Sequence, residues 1–255
     1  MNSGIVIRAE GLGKRFLIGT RDERRTVASR LRRALTGGTS QRELWALRGL
    51  DLQVRRGDIF GIIGPNGAGK STLLLLLARI LAPSSGHLRV KGKTDPFFQL
   101  AAGLRPNLSV LDNLSLCAAL LGIPRREFQR RLPRILDFSG LHDYLYARYG
   151  ELSSGLAARL PFAVALHADL DIILIDEMLA VGDRAFQAQS IESFKALASR
   201  GKTLVLVSHS LEMVRSLCSR ALYLRQGEAV FCGDAATAVK RFIADVDGAE
   251  APPRS

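Results

Sequence analysis

The feature that most constrains this chain is an apolar run, Ile59–Ile63, that opens directly into Gly64-Pro65-Asn66-Gly67-Ala68-Gly69-Lys70-Ser71-Thr72. Such a run bounded by glycine suits a strand buried on both faces, the kind found inside parallel sheets. The residues from Gly64 to Ser71 fit GxxxxGK[ST], a loop whose glycines let backbone N–H groups wrap closely around phosphate oxygens. A helix-forming stretch, 70–81, follows and points the positive end of its dipole at the same anion. Strand, loop and helix in this order predict a nucleotide site, with Lys70 reaching the β- and γ-phosphates and the Ser71 hydroxyl binding Mg²⁺.

A second apolar run, 172–175, ends in Asp176-Glu177. Carboxylates at the C-terminal end of a buried strand lie where α/β sheets bind ligands. Asp176 is therefore expected to hold Mg²⁺, directly or through water, and Glu177 to polarise the water that attacks the γ-phosphate.

The rest of the chain places these motifs in one α/β unit. Hydrophobic residues make up 47% of the 255 and charged residues 24%, which argues against a disordered or fibrous class. Apolar segment 73–78 stops at Arg79, far short of the roughly 20 residues a membrane span needs. The start alternates Ile5, Ile7 and Ala9 with polar neighbours, as a strand does and a signal peptide does not. Neither a membrane span nor export is expected. Cys117, Cys218 and Cys232 are odd in number, widely spaced and without a CxxC pair, so reduced thiols are expected.

Strands are predicted at 5–8, 45–47, 50–54, 172–175 and 203–207, with a hairpin of 221–224 and 229–232 around Gln226-Gly227. Helices are predicted at 110–122, 124–138, 156–167, 185–200, 211–218 and 235–244, with Pro133 and Pro161 positioned to kink two of them. The last residues, 246–255, read as a disordered tail after a domain of 1–245. A net charge of +12 fits nucleic acid, an anionic membrane surface or polyphosphate. Its densest arginine stretch includes an insertion at about 21–40. There Val27, Ala28, Leu31, Ala34 and Leu35 lie opposite Arg25, Arg30, Arg32 and Arg33, predicting a basic amphipathic helix over 24–35. That helix either packs on the domain or lies at a membrane surface.

About twenty residues before Asp176 stands Leu152-Ser153-Ser154-Gly155-Leu156, which resembles the signature of the ABC ATPases. It departs from the common LSGGQ at Ser154 and Leu156. The resemblance implies a P-loop NTPase core of the ABC ATPase type, with an antiparallel β subdomain and a helical subdomain at about 105–165. It also implies a head-to-tail homodimer, in which Ser153 and Gly155 of one subunit touch the γ-phosphate of ATP held by the other. Asp183 takes the position of the D-loop aspartate and His209 that of the switch histidine. Phe16 stands where an aromatic stacks on adenine, with Trp45 as the rival. Gln99 stands near the Q-loop glutamine, one residue off the usual spacing.

Within that family the chain is most similar to the ATPases that export capsule, O-antigen and teichoic-acid chains. The likeness rests on the Ser-Ser-Gly signature, on the long insertion between Phe16 and Trp45, and on Ile175-Asp-Glu-Met-Leu-Ala-Val-Gly-Asp183-Arg-Ala-Phe-Gln187. It implies an ATPase at the cytoplasmic face of the cell membrane, peripheral, working with separately encoded membrane-spanning permease subunits on a lipid-linked glycan. The alternatives are an ABC ATPase for another exported substrate, such as a lipid or drug, and a nucleic-acid-handling ABC protein. The latter usually carries paired ATPase domains, a coiled coil or a zinc insertion. None is evident, so no nucleic-acid partner is expected.

Overall fold

The computed structural model describes residues 4–18, 42–96, 103–176 and 183–250. Strands β1 (Ile5–Ile18) and β2 (Arg42–Arg55) pair antiparallel, and β4 (Ser85–Val90) joins the other edge of β1, giving a three-stranded sheet ordered β2-β1-β4. A six-stranded sheet runs β5 (Thr94–Pro96), β6 (Ile172–Asp176), β7 (Thr203–Val207), β3 (Ile59–Ile63), β8 (Arg220–Arg225), β9 (Glu228–Asp234). Its first five strands are parallel, and β9 closes the edge antiparallel to β8.

Alternation along each inner strand feeds two separate cores. Phe60, Ile62, Ile172, Leu174, Val205, Val207, Leu222 and Leu224 face one side, where helix α1 (Lys70–Leu77) is buried between the two sheets with Leu47, Leu50 and Leu52 of β2. Ile63, Ile173, Ile175, Leu204, Leu206 and Tyr223 face the other side. That second core takes in α2 (Val110–Leu120), α3 (Arg125–Ser139), α4 (Ser154–Leu166), α5 (Arg184–Ser199), α6 (Leu211–Leu217) and α7 (Ala235–Glu250). Burial on both faces explains why these strands read as unbroken apolar runs. The rings of Phe138, Phe162, Phe186 and Phe194, with centroids 5.4–6.0 Å apart, tie α3, α4 and α5 together.

Two sequence expectations are corrected. The pieces at 5–8, 45–47 and 50–54 are parts of two strands of 14 residues each, β1 and β2. Register shifts between Ala9 and Leu12 and between Lys14 and Arg15 interrupt the alternation that would have revealed them. The predicted tail from 246 is helical as far as Glu250, because 245–250 hold no helix breaker stronger than Gly248. Helices α3 and α4 continue through Pro133 and Pro161. The insertion helix at 24–35 lies outside the described residues.

Candidate functional site

Three neighbouring strands bring the sequence motifs to one edge. Val207 of β7 pairs with Ile62 of β3 on one side and with Asp176 of β6 on the other. Gly64 follows Ile62 by two residues and His209 follows Val207 by two. The glycine-rich loop, Asp176 and His209 therefore leave the sheet side by side at its C-terminal edge, the side where such sheets bind ligands.

The loop after β3 is fixed by backbone contacts that only glycine allows. Gly64 has φ 153°, and a Cβ there would stand 2.1 Å from the Leu224 carbonyl oxygen. Gly69 has φ 103°, and its Cβ would stand 2.4 Å from the Ala46 oxygen. The turn between β8 and β9 grips the loop from outside. Gln226 and Gly227 both have positive φ, the signature of a two-residue hairpin turn. The Gly227 amide donates to the Ala68 carbonyl at 3.0 Å, and the Gly227 carbonyl accepts from the Arg48 amide of β2 at 2.9 Å. Both sheets thus hold the loop in place.

Helix α1 begins at Lys70 after Gly69, with no side chain capping its first turn, whereas Ser109, Ser153, Asp183 and Ser210 cap α2, α4, α5 and α6. An N-terminus without a side-chain cap, at the positive end of the dipole, favours an anion. Lys70 is buried, and its ammonium donates to the Gly64 oxygen at 2.7 Å and the Pro65 oxygen at 3.0 Å. This cradle of closely packed backbone, helix terminus and lysine fits the phosphates of ATP. Ser71 is exposed in the first turn of α1 and Asp176 is half-buried. Hydroxyl and carboxylate are the hard oxygen donors Mg²⁺ takes when phosphates and water complete its shell. No group of three or more His, Cys, Asp or Glu residues able to hold a metal occurs among the described residues.

Ser153 and Gly155 belong to a different cluster. Ser153 caps α4, its hydroxyl accepting from the Leu156 amide at 3.4 Å, and it is exposed. Gly155 sits half-buried in the first turn. Further along α4, Arg159 makes a 2.7 Å ion pair with Asp183 and lies 4.9 Å over the Phe186 ring. Asp183 in turn caps α5, accepting from the Phe186 amide at 2.9 Å. That amide, and then the Arg159 guanidinium, hold the Asp183 carboxyl below its ordinary range. Among the described residues no hydrogen bond joins Ser153 to residues 64–72 of the same chain. The sequence reading missed Arg159 and the grip of Gly227 on the loop, because neither belongs to a motif and both depend on contacts distant along the chain.

Phe16, near the end of β1, has an exposed ring with the Lys14 ammonium 5.4 Å from its centroid. Trp45 of β2 is half-buried, packs over Gly13 and has Arg48 5.9 Å from its ring. His209 is exposed beside the buried Ser208, whose hydroxyl accepts from the Ser210 amide at 3.0 Å. Glu177, Gln99 and the segment from Leu179 to Gly182 lie outside the described residues. A pocket of about 330 Å³ lined by Gly4, Arg56, Lys91, Asp171 and Thr203 opens at the opposite, N-terminal ends of the strands, away from this chemistry.

Comparison with known proteins follows the same lines. Residues 47–180 match the ABC transporter family profile. The O-antigen export system ATP-binding protein RfbB of Myxococcus xanthus is 40% identical over 210 residues, covering 81% of this chain and 48% of that protein. The teichoic acids export ATP-binding protein TagH of Levilactobacillus brevis is 37% identical over 198 residues, covering 78% of this chain and 55% of that one. This chain spans about half the length of these two relatives. Among solved structures, a dimeric ATP-binding cassette in a post-hydrolysis state with ADP and Pi superposes with a TM-score of 0.71. At 23% identity it covers 90% of this chain and 98% of its own, a likeness of fold.

Proposed function

This chain belongs to the ABC transporter family as an ATP-binding cassette ATPase, and from that premise we propose that it powers export of a lipid-linked polysaccharide across the cytoplasmic membrane. The observation that carries the substrate class is the likeness to an O-antigen exporter and a teichoic acid exporter, over more than three quarters of the chain in each case. The second reading, export of a lipid or drug, is not favoured by either relative.

In this reading ATP is the substrate, and Mg²⁺, when bound with it, would supply neutralisation of the phosphate charge. Lys70 would turn its ammonium from the Gly64 and Pro65 carbonyls onto the phosphates, and the residues from Gly64 to Thr72, Pro65 excepted, would present backbone amides to them. Ser71 and Asp176 would hold the metal, and Gln99 is proposed for the Q-loop role. Glu177, following Asp176 at the strand end, accepts the proton of the attacking water, and His209 donates to the γ-phosphate from the neighbouring strand. Phe16 stacks on adenine; its exposed ring supports this over Trp45, which is engaged with Gly13 and Arg48.

Ser153 and Gly155 act on the nucleotide of a second copy, so that two chains complete each other's sites. Their attachment to α4, without a hydrogen bond from Ser153 to the loop of their own chain, supports a partner's nucleotide as their ligand. Asp183 joins that interface from the start of α5. No helix among the described residues is long and apolar enough to cross a membrane. The proposed assembly is a homodimer docked peripherally at the cytoplasmic face on separately encoded membrane-spanning subunits, which form the glycan path.

Deleting the gene tests the substrate class. Lipid-linked glycan should accumulate inside the cell and disappear from its surface. Normal surface glycan with intracellular accumulation of a lipid or peptide would overturn it.

A further inference from the structure

Helix α3 carries a strongly charged face for which the nucleotide site has no use. Arg126, Arg130 and Arg134 recur at i, i+4 and i+8 and are all exposed, so they form one row about 12 Å long at 1.5 Å rise per residue. Arg125 extends the positive field at the start of the helix. None of these four side chains has an ion pair or hydrogen bond among the described residues, whereas the Arg131 side chain beside them is paired to Glu127 and to the His167 carbonyl. Asp137, at the far end of the face, is engaged by His142 at 2.8 Å.

The arrangement works against the helix that carries it. Like charges at i, i+4 repel. Arg125 and Arg126 also stand in the first turn, where the helix dipole disfavours cations, and Glu127 offsets only part of this. The opposite side of α3 contributes Phe128, Ile135 and Leu136 to the core, so packing holds the helix despite its surface. Between the arginines the exposed face offers only Gln129 and Pro133. Protein interfaces usually centre on buried aromatic or aliphatic anchors, and this face has none. A laterally uniform polyanion matches it better.

We propose that the α3 arginine row docks on the anionic phosphate headgroups of a bilayer, orienting the helical side of the ATPase against the membrane. The proposal rests on the reading above that the chain serves a membrane transporter. With no apolar residue to insert, attachment is electrostatic and reversible, worth roughly a fivefold gain in partitioning per arginine and lost as salt rises.

The test is sedimentation of the full chain with phosphatidylcholine vesicles, with and without phosphatidylglycerol. Wild type should bind only the phosphatidylglycerol vesicles. The triple variant Arg126→Gln, Arg130→Gln, Arg134→Gln should bind about two orders of magnitude more weakly at the same low salt. Replacement of the same three by Lys should keep most of the binding. The insertion arginines are present in every variant, so the difference isolates α3. Circular dichroism and ATP turnover without vesicles check the fold, and the three single Gln variants replace the triple if it does not fold. Equal binding by wild type and Gln variants overturns the proposal, as does loss in the Lys variant equal to that in the Gln variant. Stronger α3-dependent binding to duplex RNA than to the vesicles would assign the face to nucleic acid instead. The glycan phenotype of the deletion is a separate readout, so vesicle binding can fail while the export reading stands, and the reverse.

Discussion

The Tyr149 hydroxyl donates to the Ala157 carbonyl at 3.3 Å, and Ala157 lies four residues before Pro161 inside α4. Pro161 has no amide hydrogen, so the tyrosine supplies the bond that the helix ladder lacks. This explains how the signature helix continues through a buried proline. Tyr149→Phe leaves the carbonyl without its donor and should destabilise the protein by about 1–3 kcal/mol. Adding Pro161→Ala should return part of that, since an amide then faces Ala157. Denaturant unfolding of the two single variants and the double one gives the coupling; strictly additive losses would mean the tyrosine acts elsewhere.

Arg159 ties the signature helix to the start of α5 through Asp183. If that tie positions Ser153 for a partner's nucleotide, its loss should appear in turnover before it appears in folding. Asp183→Asn keeps the oxygen that caps α5 but loses the charge, so its melting temperature should stay near wild type. Its kcat should fall on the order of 10²-fold, the scale for small misplacements in an active site. Wild-type kcat in that variant would leave the pair a purely structural role.

The loop from Gly64 to Lys70 was legible in the sequence because its constraints are local: the backbone requires Gly64 and Gly69, and the motif they form with Lys70 is contiguous. The β6 and β7 edges were legible for a similar reason, since strands buried on both faces show as unbroken apolar runs. What stayed hidden depended on distant partners. The carbonyl of Ala157 that Pro161 leaves without an amide is satisfied by Tyr149, twelve residues before the proline. Strands β1 and β2 read as fragments because bulges shift their alternation at Leu12 and Lys14. Arg126, Arg130 and Arg134 were visible as residues, but their shared solvent face depends on which side of α3 meets the core.

The loop glycines yield a steric prediction. Gly64→Ala places a methyl carbon against the Leu224 carbonyl in a backbone region hostile to L side chains. It should destabilise the fold by about 3 kcal/mol and abolish ATP binding. Gly67→Ala, whose Cβ would meet nothing within 4 Å, should be milder, limited mainly by its φ of 76°. Thermal melts of both, with and without ATP, check the order; equal losses would contradict it.

Thiol chemistry gives the pH dependence. Burial pushes the Cys117 and Cys218 thiols up to about 12, while Cys232 is half-buried and raised less. At mildly alkaline pH a maleimide should label Cys232 first and the other two only on unfolding. A thiol raised in the fold contributes stability that is fully present below its unfolded value of 9.0 and is lost as pH climbs toward 12. Unfolding midpoints should therefore fall across that window, and Cys117→Ala and Cys218→Ala together should flatten the fall. An unchanged slope would remove these thiols as its source.

In the proposed assembly two copies share each nucleotide site, with the loop at Gly64 to Thr72 on one and Ser153 with Gly155 on the other. Lys70→Ala should abolish hydrolysis, and Glu177→Gln should lower it roughly 10²- to 10⁴-fold while leaving ATP bound. The most direct measurement is light scattering on Glu177→Gln protein. With ATP and Mg²⁺ the mass should rise to twice the 27.8 kDa of one chain, and it should return to a single chain when Ser153→Arg is added. A Glu177→Gln protein that binds ATP and stays monomeric at saturating nucleotide would contradict the shared site.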